Sequence, residues 1–281
     1  MSNTLILSMC GVGEKDFGCE ITIKMEVVEA FFVDWGLFKK FLILHLTSNL
    51  PPINDNQMLE WDPIILTFKL ALVTTLLLLV ISIPLAYWLS YSERKMKPVI
   101  ETLVSMPLVL PPTVLGFYLL IAFSPNYAFG KMLSDVLDLK LIFSFAGLVV
   151  ASVIYSLPFM VHPIQAGLSN LPASLTEAAY VMGKSKRTTL FKVLLPNIKP
   201  NLLTGIVLSF AHTIGEFGVV LMIGGNIPGK TKVASIAVYD EVEAMNYGAA
   251  NAYSLFLFAL SFVILLTVYM VNGGYLKRYW R

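Results

Sequence analysis

Residues 171–200 read LPASLTEAAYVMGKSKRTTLFKVLLPNIKP and form a polar stretch between two strongly apolar ones. The pattern predicts two short helices, the first opened by Pro172 and the second covering residues 185–195. Gly183 lies between them, and we expect a sharp chain reversal there because glycine adopts a positive φ at no steric cost. Pro196 is expected to stop the second helix.

The chain around this stretch has the composition of a membrane protein. Of its 281 residues, 57% are hydrophobic and 14% are charged, and the mean hydropathy is +0.74. Soluble globular domains are far less apolar. The formal net charge of +2 gives no indication of a nucleic-acid partner. The only cysteines are Cys10 and Cys19, so we expect neither a disulfide framework nor a metal cluster in the main body.

Five stretches are apolar enough for membrane-spanning helices, which need about 20 apolar residues to cross the hydrocarbon core. They cover residues 63–89, 98–123, 141–160, 201–223 and 249–271. The second stretch contains Pro107, Pro111 and Pro112. Each proline removes a backbone donor, so we expect this span to be bent or discontinuous. The sequence predicts an all-α integral membrane protein with five core spans.

Basic residues predict the orientation, because Lys and Arg are concentrated in cytoplasmic loops. The loops on one side, together with the C-terminal tail, contain eleven of them: Arg94, Lys95, Lys97, Lys184, Lys186, Arg187, Lys192, Lys199, Lys277, Arg278 and Arg281. The loops on the other side contain four: Lys131, Lys140, Lys230 and Lys232. Residues 171–200 and the C-terminus are therefore predicted to be cytoplasmic.

The turn after the fourth span, residues 224–231, reads GGNIPGKT and matches the phosphate-binding pattern G-x-x-x-x-G-K-[ST]. That pattern binds phosphate between a strand and a helix, whereas here it follows a membrane span and faces a compartment without ATP. Pro228 also lacks the N–H that a phosphate cradle uses. We interpret the motif as a tight extracytoplasmic turn built on Gly224, Gly225, Pro228 and Gly229.

The polar stretch resembles the EAA loop of ABC importer permeases. The matching residues are Glu177, Ala178, Ala179, Gly183, Val193, Leu195 and Pro196, with Val193 where isoleucine is usual. In that family the loop forms coupling helices that dock on cytoplasmic ATPase subunits. The resemblance therefore implies an ATPase-coupling segment with these residues: Glu177, Ala178, Ala179, Gly183, Lys184, Arg187, Leu195 and Pro196.

Three further stretches resemble the molybdate branch of the type I ABC permeases: SMPLVLPPTVLGFYLL, FAHTIGEFGVVLMIGGNIPGKT and AVYDEVEAMNYGAA. With the EAA loop, the resemblance covers nearly everything from Met58 onward. Sulfate permeases share the GEFG element, whereas PLVLPP and NIPGKT are more similar to the molybdate branch. His212 departs from the arginine expected in that branch. Tungstate stays open beside molybdate, and a sulfate or thiosulfate permease is the alternative.

The resemblance implies a set of partners. These are a second copy of this chain in a homodimer, two cytoplasmic ABC ATPase subunits and an extracytoplasmic oxyanion-binding protein. ATP and Mg²⁺ then bind to the ATPase subunits, and this chain is a multi-pass subunit of the cell (inner) membrane without a catalytic site or cofactor. A secondary anion transporter that works without ATP is the less favoured alternative, because it would leave the EAA spacing unexplained and is expected to show internal repeats.

The candidate gate or pathway residues lie in the second and fourth spans: Pro111, Pro112, Ser209, His212, Thr213 and Glu216. An ionisable residue inside a membrane is a functional candidate by default. His212 and Glu216 are four residues apart, which predicts one helix face. A bare carboxylate repels a dianion, so we expect Glu216 to pair with His212, or to fix the backbone at Gly215 and Gly218, rather than to bind substrate.

The outer turn supplies the candidate contacts for the binding protein, namely Gly225, Asn226, Pro228, Gly229 and Lys230. His162 is predicted to lie in a loop at the cytoplasmic end of the third span. No His/Cys constellation predicts a metal site.

The chain is expected to divide into a permease domain over residues 58–275 and a cytoplasmic tail over residues 276–281. Residues 1–57 contain the apolar run FFVDWGLFKKFLILHL, which is short and interrupted by charges. This extension is either an interfacial helix or sixth span, or an upstream segment that precedes a start at Met58.

Overall fold

The computed structural model describes residues 60–137 and 140–272. The predictions for residues 1–57 and for the tail over 276–281 fall outside the described residues. The described chain forms helices α1 (Trp61–Tyr91), α2 (Lys97–Val109), α3 (Pro112–Phe123), α4 (Ala128–Leu137), α5 (Phe145–Ser169), α6 (Ala173–Val181), α7 (Lys186–Asn197), α8 (Lys199–Gly215), α9 (Gly218–Gly224), α10 (Ala234–Glu243) and α11 (Tyr247–Asn272).

Three of these helices, α1, α5 and α11, are long and apolar enough to cross a bilayer alone. Two bent pairs reach the same length and hydropathy together: α2 with α3, at an angle of 115°, and α7 with α8, at 83°. The prediction of an all-α membrane protein is confirmed, and so is the bend of the second span. α4 and α10 lie outside the predicted spans.

Helix α5 is the centre of the fold and packs against α1, α2, α8 and α9. Its core face carries Met160, Ile164 and Leu168, which are almost fully buried with residues of α1 and α7. Small residues let the neighbours approach closely. A Cβ added to Gly167 would lie 2.9 Å from the side chain of Asn201 at the start of α8.

The second span is broken where Leu110 and Pro111 adopt extended backbone. The Pro111 carbonyl accepts hydrogen bonds from the N–H groups of Val114 and Leu115, so it closes the first turn of α3. Pro112 occupies the first helical position, where the missing N–H has no cost.

The prediction of one uninterrupted span over residues 201–223 is wrong. The chain leaves the helix at Glu216, which is extended, and a new helix, α9, begins at Gly218. Ser235 compensates for the break, because its hydroxyl donates to the Glu216 carbonyl at 2.6 Å. A hydropathy pattern does not reveal this interruption, since the residues on both sides of it are apolar.

The third span is longer than the predicted 141–160 and continues to Ser169. His162 therefore lies inside α5, and its assignment to a loop is wrong. Pro158 and Pro163 lie within this helix, so neither marks its end.

Candidate functional site

The polar stretch folds into α6 and α7 with the predicted reversal between them. Gly183 has a φ of +70°, its N–H donates to the Tyr180 carbonyl, and the N–H of Lys184 donates to the Ala179 carbonyl. This pair of hydrogen bonds is a Schellman motif, which ends a helix at a glycine in the left-handed region.

The sequence predicted that the second helix stops at Pro196. This prediction is wrong, because α7 continues to Asn197. Ser185 caps it by accepting a hydrogen bond from the Thr188 N–H. The helix then widens into a π-turn over Leu190–Leu194 and continues through Pro196 to Asn197. A π-turn shifts the hydrogen-bond register by one residue, and the ring of Pro196 is accommodated at the start of the final turn.

The predicted coupling residues divide into two groups. Ala179 and Leu195 are buried. Leu195 packs in a cluster with residues of α1 and α5, and α6 packs against α7. The others are exposed: Glu177, Ala178, Gly183, Lys184, Arg187 and Pro196. The sequence reasoning missed the large apolar side chains beside them, Tyr180, Val181, Met182 and Phe191, which are also exposed. An exposed apolar patch rimmed by charge is typical of a protein-docking surface.

The breaks of the second and fourth spans meet at a cavity of about 460 Å³. We call it the outer cavity, because the basic residues of the loops predict that it lies nearer the extracytoplasmic side than the coupling segment does. Its lining includes three of the predicted pathway residues, Pro112, His212 and Glu216, and also Thr113 and Tyr155. Pro111 precedes α3 at the same break. Ser209 and Thr213 are buried in α8 instead.

His212 does not pair with Glu216. Its Nδ1 lies 2.9 Å from the Ser156 hydroxyl, which lies 3.2 Å from the Thr213 hydroxyl. Thr213 donates its own proton to the Ser209 carbonyl, so the Ser156 hydroxyl joins His212 of α8 to this buried polar group. The ring also stacks on Phe159, at a centroid distance of 4.0 Å.

Glu216 is 5% exposed. Its carboxyl oxygens form no hydrogen bond of ordinary geometry within the described part of the chain, although the Ser152 hydroxyl of α5 interacts with the carboxyl. The predicted shared helix face does not form, because the helix ends at Gly215. The Glu216 backbone is held through its carbonyl by Ser235, whereas its carboxyl forms no hydrogen bond to the backbone at Gly215 or Gly218.

The two breaks are packed so closely that only glycine fits at one position. A Cβ added to Gly218 would lie 2.8 Å from the Cβ of Pro112 and 3.4 Å from the Thr113 nitrogen. The second and fourth spans are thus locked together where both are interrupted.

The GGNIPGKT segment is a turn that directly follows α9. Gly225, Asn226 and Gly229 have φ values of 65°, 54° and 70°. Thr231 is fully buried, and its hydroxyl donates to the Gly224 carbonyl at 2.7 Å and accepts from the Ile227 N–H at 2.9 Å. A hydroxyl used in this way is not available to a phosphate-bound metal ion.

The predicted binding-protein contacts lie in this turn. Gly225, Pro228, Gly229 and Lys230 are exposed, and Asn226 is half-buried. The amide of Asn226 donates to both carboxylate oxygens of Asp240, at 2.8 and 3.0 Å. Lys232 forms an ion pair with the same carboxylate at 2.8 Å. The turn is therefore tied to α10.

The sequence reasoning missed a second cavity, of about 500 Å³, between α2 and α5. We call it the inner cavity. Its lining includes Glu101, Ser105, His162 and Gln165. Gln165 donates to Glu101 at 2.7 Å, and the Ser105 hydroxyl lies 3.2 Å from Nε2 of His162. The signal in the sequence was the group of polar residues inside two apolar helices.

Across residues 60–137 and 140–272, no group of three or more His, Cys, Asp or Glu residues has the geometry of a metal site. The ammonium of Lys69 in α1 lies 5.0 Å from the centroid of the Phe145 ring.

The described chain has broken spans, an exposed pair of short helices and cavities along one central helix. These are the features of a permease subunit. Residues 79–278 match the family described as binding-protein-dependent transport system inner membrane component. The chain belongs to this family. Its members are components of transport systems.

Individual relatives are closely similar over most of their length. The chain is 46% identical over 205 residues to the molybdenum transport system permease protein ModB of Azotobacter vinelandii, which covers 73% of this chain and 90% of that protein. It is 32% identical over 182 residues to the sulfate transport system permease protein CysT of Escherichia coli (strain K12), covering 65% of each chain.

Solved structures confirm the fold. A bacterial ABC transporter that imports the acidic polysaccharide alginate has a chain with a TM-score of 0.66 and 19% identity, covering 90% of this chain and 95% of that one. The MetNI methionine ABC transporter has a chain with a TM-score of 0.60 and 18% identity, covering 77% of this chain and 95% of that one.

Proposed function

We propose that this chain is the membrane-spanning permease subunit of an ATP-driven importer of molybdate or tungstate. The observation that carries the proposal is the 46% identity to a molybdenum permease over 90% of its length, against 32% to sulfate permeases. The chain is not an enzyme in this proposal, and ATP and Mg²⁺ bind to the partner ATPase subunits.

The coupling segment is the part of the chain that receives the ATPase movement. Its exposed residues combine charge, at Glu177, Lys184 and Arg187, with the apolar side chains of Val181 and Met182. Such a surface suits a groove on a partner protein. Helix α6 packs against α7, and Leu195 of α7 packs among residues of α1 and α5, so a displacement of α6 and α7 is transmitted to the spans.

Two copies of this chain, two ATPase subunits and an extracytoplasmic oxyanion-binding protein make up the proposed complex. One solved relative of the fold is an alginate transporter in complex with its substrate-bound periplasmic protein, which supports a partner of this kind. The excess of Lys and Arg supports a cytoplasmic location for the coupling segment and an outer location for the turn after α9.

The mechanism is alternating access. ATP closes the ATPase dimer and moves α6 and α7, the spans open toward the loaded binding protein, and hydrolysis resets them. The interruptions of the second and fourth spans meet at the outer cavity, and interrupted helices in transporters line cavities of this kind.

Uptake of radiolabelled molybdate tests the proposal. Proteoliposomes that contain the whole complex with internal ATP should accumulate molybdate when molybdate-loaded binding protein is outside, and unlabelled tungstate should compete. Unlabelled sulfate should compete much less. Accumulation of labelled sulfate but not molybdate would show a sulfate permease instead, and accumulation without ATP would exclude an ABC importer.

A further inference from the structure

The inner cavity is lined by polar side chains of two helices that belong to membrane-spanning segments. Glu101 and Ser105 lie on α2, and His162 and Gln165 lie on α5. All four are half-buried in the single chain. Polar and ionisable residues within spans face a water-filled cavity or another protein surface rather than lipid, because lipid offers them no hydrogen bonds.

These groups are already held in place. The hydrogen bond from Gln165 to Glu101 and the contact between Ser105 and Nε2 of His162 both join α2 to α5. The Nδ1 atom of His162 has no hydrogen bond among the described residues. Because His162 lines the cavity, this nitrogen is available to a ligand there.

The two cavities lie along one face of α5. Tyr155, Phe159, His162, Ala166 and Ser169 follow each other at intervals of four and three residues, which places them on one helix face. The stripe is about 21 Å long. Tyr155 lines the outer cavity, and the last three residues line the inner cavity.

We propose that the inner cavity is a second, low-affinity site for the transported oxyanion, which His162 contacts as the anion leaves the membrane. This inference rests on the proposed function and deepens it. The imidazole of His162, the free amide hydrogen of Gln165 and the Ser169 hydroxyl supply donors for anion oxygens. The negative charge of the Glu101 carboxylate repels a dianion and so keeps the affinity of this site low. Transport requires sites that release their ion readily.

Cysteine modification tests the site directly. Ser105→Cys and Ser169→Cys are near-isosteric changes in the lining, and Leu103→Cys is the matched control on another face of α2, where the side chain is 59% exposed. The background carries Cys10→Ser and Cys19→Ser. An anionic thiosulfonate reagent is applied from the proposed cytoplasmic side to vesicles that contain the assembled complex.

We expect the reagent to modify both lining variants and to leave Leu103→Cys unmodified. Millimolar molybdate should slow modification several-fold, and adding His162→Leu should abolish this protection, whereas His162→Gln, which keeps a donor, should preserve it. No modification, or the same rate with and without either anion, would overturn the site. Protection by sulfate alone would keep the site and overturn the molybdate assignment, which uptake by the wild-type complex tests separately.

Discussion

The threonine of the GKT sequence, Thr231, has a structural role in the turn after α9. Its buried hydroxyl joins the Gly224 carbonyl to the Ile227 N–H. Thr231→Val leaves both backbone groups without a partner, and we expect a loss of unfolding free energy on the order of 2 kcal/mol. Thermal unfolding of the purified protein in detergent measures this loss.

Thr231→Ser is the matched control, since it keeps the hydroxyl and removes one methyl group. We expect its melting temperature to stay much closer to that of the wild type. Equal melting temperatures for the Val and Ser variants would contradict the structural role of the hydroxyl.

Gly218 and Gly215 form a second matched pair at the residue scale. A Cβ at Gly218 would collide with Pro112, whereas a Cβ at Gly215 meets nothing within 4 Å. We therefore expect Gly218→Ala to destabilise the protein by about 1–3 kcal/mol and Gly215→Ala to have little effect. Denaturation of the two variants under the same conditions gives the comparison, and similar losses would argue against close packing of the two breaks.

The sequence identified these residues only in part. Glycine and proline marked the second-span break and the reversal at Gly183, because each carries a backbone restriction of its own. The role of Thr231 depends on contacts with groups four and seven residues away. The pairing of His212 with Ser156 joins two spans, and no local pattern contains that information.

At the scale of elements, the turn between α6 and α7 is the most testable feature. Gly183 has a positive φ, and no atom lies within 4 Å of an added Cβ. Gly183→Val and Gly183→Asn therefore differ chiefly in how well each side chain tolerates the left-handed region. A left-handed conformation costs a typical residue about 1–2 kcal/mol, and asparagine adopts it far more readily.

We expect Gly183→Val to lower the ATPase stimulation by loaded binding protein several-fold, with the complex still assembled. Gly183→Asn should retain most of the stimulation. A Val variant with full stimulation would show that the geometry of this turn does not matter for coupling.

The prolines of the second span predicted its break correctly, but the ends of α5 and α7 were predicted too early, because both helices continue through a proline. The fourth span contains no proline near Glu216, so its break was missed. The break is stabilised by Ser235, which lies 19 residues further along the chain. The inner cavity was missed for the same reason, since it forms only when α2 and α5 pack together.

At the scale of the whole molecule, the proposed orientation has a direct test. Lys186→Cys and Lys230→Cys place single thiols on exposed residues of α7 and the outer turn, in the background without Cys10 and Cys19. A membrane-impermeant maleimide should label Lys230→Cys in spheroplasts and label Lys186→Cys only after permeabilisation. The reverse pattern would invert the topology.

The central claim is that this chain transmits the arrival of an oxyanion-loaded binding protein to a partner ATPase. The measurement that tests it most directly is the ATPase rate of the reconstituted complex with molybdate-loaded, sulfate-loaded or empty binding protein. We predict strong stimulation by the molybdate-loaded protein and much weaker stimulation by the other two. An ATPase rate that is the same with all three forms would contradict the claim.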